Sequence, residues 1–170
     1  MPGTARQPAA RWLLALAATS AAALAAAFLL QYAGYEPCHL CYYERIPYFV
    51  VIVVGLAGLW LGYPRTALAI IALAFAANAG LAFFHVGVEQ GWFQLPESCI
   101  ASGQATSIEE LRAQLAAAPA RCDQVPLTVL GLSLAGWNGV LSAGLLVLTL
   151  FGLVRAGASA AEQHRQARAA

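Results

Sequence analysis

Long apolar runs alternate with short polar stretches along this chain, and the pattern predicts helices that cross a membrane. A spanning helix needs about 20 apolar residues to cover a hydrocarbon core of about 30 Å. Four uncharged runs are long enough, and we place the spans at residues 12–31, 46–62, 66–84 and 136–154. The last uncharged run, at residues 124–154, would be about 46 Å long as one helix, which is too long for one upright span. We therefore start its span near Trp137, an interfacial residue type, and leave Pro126–Ala135 as an apolar segment along the surface.

The composition favours lipid over water as the surroundings of the chain. Hydrophobic residues make up 61% of the 170 residues and charged residues 10%, whereas a soluble domain carries about 25% charged residues. A net charge of +1 without a basic stripe excludes nucleic acid as a partner. The first run exceeds the about 7–15 apolar residues of a signal peptide, so we interpret it as a span. We expect an all-α membrane protein, a four-helix transmembrane bundle in the lipid bilayer, with one domain at residues 1–154 and a cytoplasmic tail at 155–170.

The arginines indicate how the spans are oriented. All 9 basic residues are arginines, and cytoplasmic loops are the ones enriched in basic residues. Most of them fall on one side if the four spans alternate, namely Arg6, Arg11, Arg65, Arg155, Arg165 and Arg168. We therefore expect both termini in the cytoplasm and two extracytoplasmic loops, at residues 32–45 and 86–135.

All four cysteines fall in those two loops, at Cys38, Cys41, Cys99 and Cys122. Disulfides persist outside the cytoplasm, and we expect Cys38 to pair with Cys41 and Cys99 with Cys122, although four cysteines allow three connectivities. A bridge across two residues removes little chain entropy. Thiol–disulfide exchange therefore explains the Cys38–Cys41 pair better than stabilisation does. For the second pair, which closes a longer loop, a structural and a redox role stay equally open.

Metal binding is the alternative for the first pair. Cys38, His39 and Cys41 could bind zinc, and the chain would then be a four-span metal-binding or transport protein. His85 could supply a further ligand. A structural zinc site normally has a second ligand pair at similar spacing, and the two cysteines of the second loop are too far apart in sequence to form one. We therefore prefer redox chemistry and predict no resident metal.

The second extracytoplasmic loop contains a predicted amphipathic helix in the stretch TSIEELRAQLAAAP. Ser107 and Glu110 match a capping box, and Pro119 ends the helix. Its apolar residues share one face, and they are Ile108, Leu111 and Leu115. Such a helix either lies flat on the bilayer surface or packs against its own loop.

Arg45 stands on the extracytoplasmic side, against the general trend of the basic residues. It follows Cys41 by four residues, so the two share a face if the chain is helical there. Pro47 suits the first turn of a helix and would mark the start of the second span. We expect Arg45 to stabilise a thiolate at Cys41 and to bind a polar acceptor group, rather than only to reach lipid headgroups. His85, at the end of the third span, should lie at the same depth.

Four motifs together resemble the DsbB family of quinone-dependent membrane disulfide oxidases. They are PCHLCYYER before the second span, FHVGVEQG after the third, Cys99 with Cys122-Asp123 in the second loop, and LGLSLAGW before the fourth. The resemblance covers residues 12–154. In the vitamin K epoxide reductase family, which shares the four-helix plan, the loop cysteines precede the CxxC motif, whereas here the CxxC comes first.

The resemblance implies a disulfide oxidase of the bacterial inner membrane. It would re-oxidise a soluble periplasmic DsbA-like thiol oxidase and pass the electrons to the membrane quinone pool, with ubiquinone or menaquinone as the cofactor. Cys41 would be the thiolate that interacts with the quinone. Cys38 would be its partner and would exchange with Cys122. Cys99 would form the mixed disulfide with the soluble oxidase.

The resemblance also implies a quinone site among the charged residues near the CxxC. Arg45 and His85 would help to bind the quinone, with Glu44 nearby. Leu134 falls where some relatives carry a methionine near the quinone, so this chain departs from them at that contact.

Overall fold

The computed structural model describes residues 6–96, 99, 107–109, 112 and 120–169. Four of its helices are long and apolar enough to cross a membrane. They are α1 (Arg6–Tyr32), α2 (His39–Leu61), α3 (Pro64–Glu89) and α4 (Leu134–Ala169). The predicted all-α fold with four spanning helices is confirmed. The amphipathic helix predicted between Ser107 and Pro119 lies largely outside the described residues.

Helix α2 begins seven residues before the predicted span, which changes the setting of the CxxC motif. Cys38 is the N-cap of α2, and its Sγ accepts the backbone N–H of Cys41 at 3.3 Å. Pro47, expected in the first turn, lies inside the helix. Membrane helices tolerate an interior proline because neighbouring helices and side chains satisfy the freed backbone groups. The CxxC motif is therefore the first turn of α2 and not part of a loop that precedes it.

Small residues bring α2 and α3 into close contact. Gly62 ends α2 with a φ of 77°, and its N–H donates to the carbonyl of Gly58. A Cβ on Gly58 would collide with the Cβ of Ala67 on α3. Close approach at such positions is how membrane helices gain packing contacts, since lipid provides no hydrophobic force to join them.

The helices pack around an apolar core at the end away from the cysteines, and they expose further apolar side chains outward. The fully buried residues of this core include Leu13, Val51, Leu68, Ile71 and Phe75. Large exposed residues on the outer faces include Leu29, Val53, Leu73 and Val147. A bundle that is apolar both inside and outside is suited to lipid.

The apolar segment before the fourth span forms a small hairpin. Strand β1 (Thr128–Val129) pairs antiparallel with β2 (Leu132–Ser133). The turn between them places Leu130 and Gly131 at positive φ, 52° and 82°, as a two-residue hairpin of type I′ requires. Trp137 Nε1 donates to the Val129 carbonyl at 2.8 Å. This bond holds the hairpin against the first turn of α4.

Helix α4 is longer than the predicted span at both ends. Ser133 Oγ accepts the N–H of Gly136 at 3.0 Å and donates to Glu89 Oε2 at 2.5 Å, which ties the start of α4 to the end of α3. The helical backbone then continues to Ala169, through the segment predicted to be a cytoplasmic tail. Alanine has the highest helix propensity of all residues, and this segment is rich in it.

Candidate active site

The two cysteine pairs lie in one buried cluster. Cys99 and Cys122 form a disulfide with a Cα–Cα distance of 5.8 Å, and both are almost completely buried. Cys38 and Cys41 are free thiols, with their Sγ atoms 2.8 Å apart. Cys38 packs in the same apolar cluster as the disulfide, and Cys41 lies against that cluster. Residues that are distant in sequence thus pack in one cluster.

In the reduced pair, Cys38 is the cysteine that forms the thiolate. Its Sγ lies at the N-terminus of α2, where the helix dipole stabilises negative charge. The hydrogen bond from the Cys41 thiol lowers the pKa of Cys38 most; burial opposes this, and His85 supports it, so that the pKa falls to about 4. The resemblance gives the quinone-reactive thiolate to Cys41. In this dithiol state the two Sγ atoms share one hydrogen bond, and the lowered pKa of Cys38 instead assigns the donor role to the Cys41 thiol.

His85 and Glu44 connect this sulfur to the interior of the bundle. His85 Nε2 lies 3.5 Å from Cys38 Sγ, and its Nδ1 lies 2.8 Å from Glu44 Oε1. Both side chains are buried, with relative exposures of 3% for His85 and 7% for Glu44. A charged or strongly polar group at this depth is costly and is commonly functional. The structure therefore places His85 between Cys38 and Glu44.

A cavity of about 380 Å³ opens beside Cys41, between α1, α2 and the start of α4. Such a volume suits a small organic ligand. Its polar wall is formed by Cys41, Glu44, Arg45, Tyr48 and Asn138, and its apolar wall by residues such as Leu24, Leu30, Leu134 and Leu141. His85 is not among the lining residues. Apolar walls with a few converging polar groups fit a ring that bears carbonyl oxygens, which is the shape of a quinone headgroup.

Arg45 is held in a fixed position at this cavity. Its Nη1 donates to Gln31 Oε1 at 2.7 Å, and its Nη2 donates to the Ala27 carbonyl at 3.5 Å. The guanidinium also lies over the rings of Phe28 and Tyr42, at 4.9 and 5.3 Å from their centroids. Among the described residues no carboxylate pairs with it. Its positive charge is therefore available to an acceptor in the cavity.

The metal-ligand set differs from the one expected. The ligand atoms of Cys38, Cys41 and His85 lie within 4.8 Å of one another. His39 is absent from this group, and its Nε2 contacts the hydroxyl of Tyr43 at 3.2 Å. The reduced pair could thus ligate a metal only together with His85, the residue that also contacts Glu44.

Comparison with known proteins decides between the two chemistries. A family model described as "Disulfide bond formation protein DsbB" matches residues 9–152. The chain belongs to the DsbB family. A disulfide bond formation protein B of Marinobacter nauticus is 33% identical over 160 residues, which cover 85% of this chain and 92% of that protein. Another, of Idiomarina loihiensis, is 30% identical over 145 residues, covering 81% and 80%. An uncharacterised protein of Rickettsia prowazekii is 30% identical over 140 residues, covering 79% and 81%.

Family membership establishes the general activity. The chain is a disulfide oxidase, a disulfide-forming oxidoreductase of a bacterial membrane that it crosses several times. The DsbB family is quinone-dependent. The resemblance drawn from the sequence motifs is confirmed over nearly the whole span that it covered.

Sequence reasoning missed three polar residues of the site. Gln31 fixes Arg45, and Tyr48 and Asn138 line the cavity and contact each other at 2.6 Å. Their signal in the sequence is a polar residue inside an otherwise apolar span, which is unfavourable in lipid unless it has a partner or a function. Gln31 ends its span and is easily taken for a loop residue.

Proposed function

We propose that this chain carries electrons from a soluble DsbA-like dithiol through Cys99–Cys122 and then Cys38–Cys41 to a quinone of the membrane, ubiquinone or menaquinone. The observation that carries the proposal is the position of Cys41. It belongs to the CxxC beside the buried disulfide, and it also lines the cavity. One residue thus joins the exchange chemistry of the cysteine cluster to a site open to a lipid-soluble oxidant.

The exchange steps follow from the two pairs. A thiolate of the soluble partner attacks Cys99, breaks the Cys99–Cys122 bond and releases the Cys122 thiolate. Cys122 then attacks Cys38 of an oxidised Cys38–Cys41 pair and releases the Cys41 thiolate beside the cavity. The partner's second thiol then attacks the mixed disulfide between the partner and Cys99, and this releases the Cys99 thiolate. Cys99 attacks Cys122 in the Cys122–Cys38 disulfide, which forms Cys99–Cys122 again and releases Cys38. Two electrons and two protons have then moved from the partner to Cys38 and Cys41.

Reduction potentials explain why a quinone is needed. A DsbA-type oxidase has a reduction potential of about −120 mV, whereas structural disulfides have reduction potentials below about −300 mV. Passing electrons from the first to the second is uphill by about 180 mV, or about 8 kcal/mol for two electrons. A quinone bound in the cavity would supply the stronger oxidant, because it accepts two electrons and two protons. Only a membrane protein with a dithiol at the edge of the lipid can reach such a molecule.

Arg45 and Cys41 would hold the quinone headgroup. They are separated by one helical turn on α2, and both line the cavity. A positive charge beside a carbonyl oxygen stabilises the negative charge that develops there during reduction. We assign His85 to Cys38 rather than to the quinone, and the 3.5 Å distance between His85 Nε2 and Cys38 Sγ supports this assignment.

The electron route is tested with purified protein, a reduced DsbA-type partner and a soluble ubiquinone analogue. We expect quinone reduction by the wild type and none by Cys41→Ser, which removes the sulfur next to the cavity. Cys41→Ser should still form a mixed disulfide with the partner through Cys99. Full turnover in this variant would rule out the route.

We also propose that both termini are cytoplasmic and that the cysteine pairs face the periplasm, within one four-span domain at residues 1–154. The distribution of the arginines supports this orientation. A thiol reagent that cannot cross membranes should label a cysteine placed in the tail (Ala170→Cys, in a variant whose other cysteines are serine) only after the inner membrane is opened. Labelling of intact spheroplasts at that position would contradict the orientation.

A further inference from the structure

A continuous path of polar atoms leads from the CxxC to the cavity. It begins at Cys38 Sγ, continues 3.5 Å to His85 Nε2, and leaves the ring at Nδ1, 2.8 Å from Glu44 Oε1. Glu44 lines the cavity, whereas His85 does not. The imidazole has one nitrogen on each partner and can therefore accept a proton on one side while it releases another on the other side.

A polar cluster next to the cavity fixes the amide of Asn138. Tyr48 donates its hydroxyl to Asn138 Oδ1 at 2.6 Å, and Asn78 Nδ2 lies 3.4 Å from the same oxygen. Asn78 Nδ2 also donates to Ser142 Oγ at 2.9 Å. With two donors on its oxygen, the Asn138 amide must turn its nitrogen away from the cluster.

The nitrogen of this amide is an unused donor near Glu44, and both residues line the cavity. Asn138 Nδ2 is buried and makes no hydrogen bond among the described residues, and the Asn138 side chain interacts favourably with the Glu44 carboxylate. The opposite orientation would turn the amide oxygen toward that carboxylate, where two acceptors would face each other. Glu44 thus bonds to His85 and has the Asn138 amide as a second polar neighbour.

From this arrangement we infer that Glu44 delivers protons to a quinone in the cavity, and that protons from Cys38 return to Glu44 through His85. Asn138 is a positioning residue, which keeps the Glu44 carboxyl at the cavity wall. The inference rests on the proposed quinone reduction and adds the route of the protons to it.

The proton and electron balance is complete. Oxidation of the dithiol forms the Cys38–Cys41 bond, and it releases two electrons to the quinone and two protons. Cys38, as a thiolate, has already given its proton to His85 Nε2. The proton on Nδ1 passes to Glu44, and Glu44 delivers its own proton to a carbonyl oxygen of the quinone ring. The Cys41 proton crosses the 2.8 Å contact to Cys38 and follows by the same path. Quinone and dithiol become quinol and disulfide, and no other reactant is needed.

Few other titratable groups face Glu44. Cys38, Cys41 and Tyr48 interact with it from α2 and its N-cap, and His85 bonds to it from α3. Arg45 of α2 lines the same cavity. The neutral Asn138 comes from α4. The residues that α1 contributes to the cavity wall are alanines and leucines. A pH profile that depends on Glu44 therefore reports mainly on this small group.

The first test needs no quinone. Infrared difference spectra between the oxidised and reduced Cys38–Cys41 pair should contain a carboxyl band that changes with the redox state, because the pair exchanges protons with Glu44. The band should disappear in Glu44→Gln and shift in Asn138→Leu. It should persist in Glu109→Gln, a matched control, because Glu109 is an exposed carboxylate that does not line the cavity. A spectrum with no Glu44-dependent band overturns the inference.

The second test follows single-turnover re-oxidation of the pre-reduced protein by a ubiquinone analogue. Loss of a proton-transfer group costs on the order of 10²-fold in rate, so we expect that decrease in Glu44→Gln and partial recovery in Glu44→Asp. Quinone affinity, measured by quenching of the cavity residue Trp137, should change less than threefold in Glu44→Gln. The rate in the control variant Glu109→Gln should also change less than threefold. Asn138→Leu should slow re-oxidation and displace its pH profile.

The outcomes separate the two proposals. If the wild type reduces quinone and Glu44→Gln does so at the wild-type rate and with the same pH profile, the proton route is wrong and the electron route stands. If the wild type reduces no quinone, both are wrong.

Discussion

The two ends of the four-helix bundle differ in the side chains that fill their interior. At the cysteine end, buried polar groups from different helices contact one another, as in the Cys38, His85 and Glu44 series. At the other end, apolar side chains such as Leu68 and Ile71 fill the space. A buried polar residue there, Thr149, donates to the Leu145 carbonyl of its own helix at 2.6 Å and so does not depend on a neighbouring helix.

This contrast indicates a division between stability and chemistry. Replacing a buried polar pair by apolar residues of similar volume is often neutral or stabilising, whereas removing one partner is costly. The cysteine end is therefore expected to retain its polar groups for redox and proton chemistry, and the apolar end to supply most of the packing. Four changes test this division, in order of decreasing effect.

The largest effect is expected from His85→Leu, because it leaves Glu44 buried without its main partner. Losing one member of a buried pair costs about 3–5 kcal/mol, and we expect a decrease of this size in the free energy of unfolding, measured by SDS titration in mixed micelles. The double variant His85→Leu/Glu44→Leu should recover most of the loss while quinone reduction remains impaired. A double variant as unstable as the sum of the two single ones would show that the pair contributes no coupling.

At the apolar end, Ile71→Ala should lower the free energy of unfolding by about 3 kcal/mol, since it leaves a cavity among fully buried residues. Its quinone KM should not change. Leu73→Ala is the matched control, because Leu73 lies on the same helix and is 72% exposed on its outer face. Equal destabilisation by the two substitutions would contradict the assigned core.

A smaller effect is expected from Gln31→Leu, which removes the 2.7 Å acceptor of Arg45. One hydrogen bond contributes about 0.5–1.5 kcal/mol, so the quinone KM should rise about fivefold while the KM for the soluble partner stays the same. Thr19→Ala serves as the control, since the Thr19 hydroxyl bonds to the Ala15 carbonyl of its own helix. An unchanged quinone KM in Gln31→Leu would remove its role in fixing Arg45.

The smallest change is spectroscopic and concerns pH. With a pKa of about 4, Cys38 should keep its thiolate ultraviolet absorbance as the pH falls from 7 to 5. An ordinary thiol, with a pKa of 9.0, is protonated over that range. The absorbance should be lost through pH 4 and be absent in Cys38→Ser. In Cys41→Ala its midpoint should move to higher pH, because the largest cause of the shift is gone. A midpoint near pH 8 in the wild type would contradict the N-cap geometry.

The same shift has a consequence for stability. The pKa of Cys38 is lower in the folded protein than its ordinary value of 9.0, so the folded state binds fewer protons than the unfolded state between these two pH values. The stabilisation of the reduced protein is complete above pH 9 and is lost as the pH falls toward 4. Unfolding of the reduced and oxidised proteins, compared at pH 5 and pH 8, would measure it.

The sequence alone was sufficient for the number of spans, the fold class and the family, because each depends on local features. Apolar runs of membrane length are visible without knowledge of contacts, and so is the CxxC with Arg45 one helical turn after Cys41. The residues at which the helices begin and end were harder to predict from the sequence. Pro47 suggested a start for α2, but the surrounding bundle accommodates the proline inside the helix, which begins at His39.

Only the tertiary structure decided which side chains meet. It brought His85 to Cys38 and Glu44, joined Gln31 to Arg45, and brought the Asn138 amide near Glu44. The physical reason lies in the solvent. A helix in lipid is apolar on its outer face as well as its inner face, so hydropathy does not indicate which face turns inward. Contacts between helices depend on that rotation, and close packing of small residues such as Gly58 against Ala67 sets it.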